Sequence, residues 1–354
     1  MANTSKATAQ QLTERVQHNC HISDALYARN YSLCIYLLKM REFYRWEKGF
    51  AYRDPLPKAP LGEWLTNREQ LWESIEEENY HPIAIASQQF EPFESSAINE
   101  QLADAGLVYS GGYCGQKPHF FLAELEKRVD EEGATVYIAG RELAREITAP
   151  PALSLGDTIF LRRESLSRMI WEKLEEWGWQ DPQRAIARAS GYYGFDRDFD
   201  LALEGMTGDE LDTLLEHELG EVMIGRELGP EWEVMLAALP RSRAEYQLRA
   251  IRDHLVDCRR TLPWLLEQGR DAALHFYMAN FTTMRKEIFP ALAKAYQAWL
   301  DGDNGKLLKE TVKRGAEHWQ KQADKALAIY RNREGDDSKA LMQALAQLDE
   351  GIEC

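Results

Sequence analysis

The stretch from Asp209 to Gly229, DELDTLLEHELGEVMIGRELG, constrains this chain most, because it reads as one helix with ionisable side chains inside its apolar arc. Thr207 or Asp209 can cap its start, and Gly229-Pro230 ends it, since glycine takes a left-handed cap and proline cannot continue a helix. At about 100° per residue, Leu211, Leu214, Leu215, Leu219, Val222 and Gly225 share one face. Asp209, Asp212, Glu216 and Glu227 form the polar face. Glu218 falls inside the apolar arc, and His217 and Glu221 flank it beside Ile224 and Leu228.

A buried carboxylate must neutralise, pair with a cation or bind a metal. Two readings of His217, Glu218 and Glu221 follow and both stay open. One is a metal or catalytic site, with Glu218 as the catalytic carboxylate. The other is a salt-bridge network in which arginines of neighbouring helices satisfy the acids.

The 354 residues allow one large domain or two ordinary ones. With 58 acidic against 42 basic residues the net charge is −16, a field that repels nucleic acid and anionic membranes. No apolar run is long enough to span a bilayer, and the polar start MANTSKATAQQLTE lacks the pattern of a signal peptide, so a cytoplasmic protein is expected. Five scattered cysteines without a Cys-x-x-Cys pair fit a reducing compartment and argue against a disulfide framework. The partners this leaves are a small-molecule substrate or another protein.

Residues 1–62 read as a polar start followed by a central helix, Asp24 to Lys48, and a proline-punctuated linker. His18, Cys20 and His21 offer a cluster of soft ligands in what reads as a surface segment. In the central helix, Glu47 shares a face with Leu33, Tyr36, Leu37, Met40, Phe43 and Tyr44, while Glu42 lies opposite. Either acid could reach a metal held elsewhere, or pair with Lys39, Arg41 or Arg45.

Residues 63–164 read as a mixed insertion: a helix from Asn67 to Glu78, a loop from Pro82 to Phe93, and β-rich runs at 107–110, 119–124, 134–139 and 158–161. Gly111, Gly112 and Gly115 do not make a phosphate loop, since a strand rather than a helix follows them. Cys114 and His119 read as structural. Residues 165–333 form a helical core, with GYYGFDRDFD at 191–200 as a loop, and 334–354 a terminal amphipathic helix. The fold class is mainly α, a multi-helix bundle with a small antiparallel β insertion. Within the core, His254 with Asp257, or Asp253 with Asp257, stand three or four residues apart and could grip one ion, or the acids could pair with Arg249 or Arg260.

The segments EHELGE and RDHLVD resemble the metal-binding helices of ferritin-like and haem-oxygenase-like di-iron oxidases, although in each the histidine precedes its acid. The resemblance implies an oxidase or oxygenase holding two iron or manganese ions on His217, Glu221, His254, Asp257 and Glu47 or Glu42. Two alternatives stand beside it. His217-Glu218-Leu-Gly-Glu221 resembles the zincin helix with glutamate for the second histidine, which implies a zinc hydrolase. A helical scaffold that binds another protein needs no metal.

Overall fold

The computed structural model describes residues 2–114, 117–177, 184–239, 242–333, 338–345 and 348. The chain divides into two compact units, Met1–Trp171 and Glu172–Cys354. The fold is mainly α, a multi-helix bundle with a β-sheet region inserted. No helix among the described residues is long and apolar enough to cross a membrane.

In the first unit the polar start is a long helix, α1 (Ala2–Tyr27). Leu12, Val16 and Cys20, one turn apart, sink into a core with Tyr109, Phe120 and Leu122. A 3-10 turn, Ala28–Asn30, then breaks the expected central helix, which begins again as α2 (Leu33–Lys48). The second half of α2 packs Met40, Phe43 and Tyr44 against α3 (Lys58–Ile75) and ends on left-handed Gly49. Its first half is unexpectedly open, with Leu33 71% and Leu38 55% exposed.

The stretch read as a loop holds a hairpin, β1 (Ile83–Ile85) and β2 (Gln88–Phe90), before α4 (Ser95–Leu102). Five strands follow: β3 (Leu107–Cys114), β4 (Lys117–Glu131), β5 (Ala134–Arg145), β6 (Ala152–Leu155) and β7 (Thr158–Arg162). They form one sheet in the order β3-β4-β5-β7-β6. The sheet is mixed rather than wholly antiparallel, because β5 and β7 pair in parallel while β6 and the other neighbours run antiparallel. Alternation along β4 sends Phe120 and Leu122 to the α1 side, and Phe121 and Ala123 to the opposite core with Phe160.

The helix α5 (Arg163–Trp177) follows the sheet and runs past the boundary of the two units, and α6 (Ala185–Ser190) comes next in the second unit. The opening stretch of the sequence is the C-terminal part of α7 (Phe199–Leu228), which starts about ten residues earlier than expected. Asp198 caps it by accepting from the Leu201 amide at 3.1 Å, so the segment expected as a loop supplies the cap and first turn. The short α8 (Pro230–Ala237) follows, and then α9 (Arg243–Val256) runs through a π-helical turn, Asp257–Thr261, into α10 (Leu262–Glu267). Pro263 lacks an N–H to continue the α ladder, and the wider turn just before it absorbs the mismatch. Further on come α11 (Asp271–Asn280), α12 (Thr283–Ile288), α13 (Pro290–Leu300), α14 (Lys306–Arg331) and α15 (Ser338–Leu345). Much of the linker and terminal helix expected from 333 onward lies outside the described residues.

At Gly111 in β3 a Cβ would stand 2.0 Å from the Pro92 carbonyl oxygen, which also accepts the Tyr109 hydroxyl at 2.7 Å. Backbone cannot give way as a side-chain tip can. Gly111→Ala is therefore expected to cost about 3 kcal/mol in urea unfolding; wild-type stability in this variant would contradict the close approach.

Candidate metal centre

The first-unit site begins with α1, whose polar residues are spent on the backbone of neighbouring segments. Asn19 is fully buried; its amide donates to the His81 carbonyl at 2.9 Å and accepts from the His81 N–H at 2.8 Å. Both main-chain groups of His81 are thereby fastened to the helix, one residue beyond His18. Glu78 is set nearby by the end of α3, where its N–H donates to the Ile75 carbonyl at 3.0 Å.

Glu78 Oε2 consequently sits between two imidazoles, 2.9 Å from His18 Nε2 and 3.2 Å from His81 Nε2. The ring centroids are 4.6 Å apart. Among the described residues, these three form the group of His, Cys, Asp or Glu side chains whose ligand atoms all lie within 4.8 Å of one another. Hydrogen bonding from His18, and then from His81, holds the Glu78 carboxyl below its ordinary pKa. The site is partly open, and a cavity of about 480 Å³ adjoins it, lined also by Gln11, Glu14 and Arg15. The Arg15 guanidinium lies against His81 Nδ1. Since arginine only donates, Nδ1 accepts and the ring proton is directed to Nε2, toward Glu78.

Two imidazole nitrogens and one carboxylate oxygen are a donor set suited to zinc or to iron(II). The protons now shared with Glu78 lie where such an ion would bind, so uptake must release them. Of the soft-ligand cluster in the sequence only His18 contributes. Cys20 donates to the Phe120 carbonyl at 3.2 Å, and His21 contacts Arg68. Glu78 and His81 stand at a Glu-x-x-His spacing that the sequence reading passed over, and they join His18 only after the turn beyond α3 folds back.

The candidate residues of α7, of α9 and of the π-helical turn after it lie in the second unit. His217 turns Nδ1 to Asp257 Oδ1 at 3.0 Å and Nε2 to Glu221 Oε1 at 3.6 Å. The two carboxylates thus face opposite ring nitrogens, whereas an ion bound to one nitrogen would need both on the same side. Arg252 donates to Glu221 at 3.3 Å and to Glu233 at 3.2 Å. Asp257, 1% exposed, also receives the Arg285 guanidinium and, at 2.8 Å, the Tyr277 hydroxyl. His254 is fully buried, stacked 4.8 Å from Trp319, with Nε2 3.0 Å from the Arg285 carbonyl. Glu218 is buried on α7, and Asp253 lies 4.0 Å from Arg252.

Burial disfavours ionisation of all three main groups, yet their partners outweigh it. Asp257 and Glu221 hydrogen-bond His217 and hold its pKa well above the ordinary imidazole value. His217 and Arg252 bring Glu221 down to about 2, and Arg285 chiefly keeps Asp257 lower still. In the first unit, Glu42 accepts from Arg41 at 2.8 Å and Arg45 at 3.1 Å. Glu47 accepts from Trp64 Nε1 at 2.8 Å and pairs with Arg68.

The chain belongs to a family of unknown function, DUF6866: the N-terminal domain of that family matches residues 11–162 and its C-terminal domain residues 167–348. No curated protein and no solved structure matches the chain.

Two expectations follow. Asn19→Ala removes both bonds to the His81 backbone and should cost about 2 kcal/mol in unfolding experiments, and the cross-peak between the His18 and His81 ring protons should vanish from the NOESY spectrum. In the second unit, depressed carboxylates contribute stability above about pH 4 that is lost as acid protonates them. The raised His217 contributes below about pH 6.5 and loses its share as pH rises through its folded value. Arg285→Met should therefore destabilise the protein by about 3 kcal/mol at neutral pH, and the deficit should narrow below pH 4. A deficit independent of pH would show that Asp257 is not what Arg285 stabilises.

Proposed function

We propose that the protein binds a single divalent transition-metal ion through His18, Glu78 and His81 and uses it for hydrolysis of a small anionic substrate. The observation that supports this most is the convergence of two imidazoles on one carboxylate, with both imidazoles lining a cavity that also holds an acid and a guanidinium. Three protein ligands with an open position are the pattern of catalytic rather than closed structural zinc sites. A bound ion supplies Lewis-acid polarisation of a substrate oxygen and a lowered pKa for water.

The chain's own groups do the rest. Glu14, one turn before His18 on α1, places a carboxylate on the same cavity as the proton acceptor. Arg15 receives the anionic end of the substrate. In the resting state it also holds His81 in the tautomer that opposes metal uptake, so substrate binding to Arg15 frees Nδ1 and favours the ligating tautomer. A paired-ion oxidase on His217, Glu221, His254 and Asp257 has less support, since Arg252 and Arg285 already neutralise its carboxylates.

Titration with zinc or cobalt(II), followed calorimetrically and by cobalt absorption, is expected to saturate at about one equivalent. His18→Ala and His81→Ala should each abolish it, whereas Arg15→Ala should tighten it by removing a positive charge and freeing the tautomer. Saturation at two equivalents, or uptake unchanged in both histidine variants, would refute the assignment.

A further inference from the structure

A second cavity of the first unit, about 470 Å³ in volume, lies where the end of α1, the start of α2 and the face of α3 meet. It is separate from the metal centre in its lining. Three aromatic residues, Tyr31, Tyr36 and Trp72, border it together with two carboxylates, Glu69 and Glu73. The polar tips of the rings are already engaged: Tyr31 bonds the Thr148 hydroxyl at 2.7 Å, Tyr36 donates to Glu69 at 3.0 Å, and Trp72 Nε1 lies 3.4 Å from His21. Trp72 is buried, so what remains for a ligand is chiefly the apolar and π surface of the half-buried Tyr31 and Tyr36.

We propose that this cavity binds a small organic cation with an alkylammonium head. Aromatic faces attract such cations through their quadrupoles and solvate the alkyl groups, while nearby carboxylates supply the opposite charge. One cation already uses this wall, since Lys39 Nζ lies 5.3 Å from the centroid of the Tyr31 ring. Glu73 makes no ion pair among the described residues, and Glu69 accepts only the neutral Tyr36 hydroxyl, so the acidic side of the cavity is not neutralised from within. Arg29 also borders the cavity, but it is 70% exposed and turned to Glu76 at 3.1 Å. The volume suits a free small molecule, and a net charge of −16 raises the local concentration of any cation.

The test compares choline with 3,3-dimethylbutanol, which has the same shape without the charge, by NMR titration of the full-length protein in the presence of EDTA, so that metal binding plays no part. Choline should bind saturably at this cavity, at least fivefold tighter than the alcohol, and weaken with salt. Glu69→Gln/Glu73→Gln, two exposed positions whose replacement leaves the core intact, should weaken choline about fivefold without altering binding of the alcohol. Equal affinities for the two probes, no saturable choline binding, or choline affinity unchanged in the double variant would each overturn the proposal.

Discussion

The first unit depends on one helix whose polar side chains are bonded to the backbone of other segments. Gln17 exchanges two hydrogen bonds with the main chain of Arg145, Asn19 two with His81, and Ser23 donates to the Pro118 carbonyl at 2.6 Å. Asp24 accepts from the Ile147 N–H at 3.1 Å, and burial lifts its pKa to about 7 in spite of Lys117 at 3.6 Å. A backbone group taken from water must find a partner, and here α1 supplies partners to both β4 and β5. The same helix carries His18, so the bonds that fasten it to the sheet also fix one edge of the candidate metal centre.

Buried charge is the second constraint, and it is met by pairing in both units. In the first, Glu142 is wholly buried with Arg162 at 2.8 Å and Ser165 at 2.6 Å, while Arg145 stacks 4.7 Å from the Trp46 ring. In the second, His217, Asp257, Arg285 and Glu221 alternate in sign. Such sets are costly to break by removing one member and add little stability as a whole, which suits a role in fixing which helices meet. The group at His18, Glu78 and His81 differs, since its side chains are partly exposed, no arginine pairs with its carboxylate among the described residues, and His18 and His81 line a cavity.

Much of the fold is legible in residue patterns. Gly229-Pro230 ends α7, β-rich runs between turn residues mark parts of β3, β4, β5 and β7, and the regular apolar stripe of α14 runs from Leu308 to Tyr330. The candidate site is less legible, for a definite reason. Polarity along α1 reads as exposure, yet Asn19, Ser23 and Asp24 are buried because they bond backbone, which no periodicity records. The opposite error occurs in α2, where an apolar run reads as core but Leu33, Ile35, Leu37 and Leu38 face outward. The helix that looks most like a metal ligand set does hold misplaced charges, and local sequence could not say whether arginines or an ion would face them. Asp257, Arg252 and Arg285 meet His217 and Glu221 only through tertiary packing.

Anomalous diffraction at the zinc edge from crystals of the zinc-loaded protein tests the central claim most directly. The account predicts one strong peak about 2.0–2.1 Å from a nitrogen of His18 and of His81 and at a similar distance from a Glu78 oxygen. A peak between His217 and Asp257 or Glu221, or a protein-bound zinc that leaves His18 and His81 uncoordinated, would contradict it.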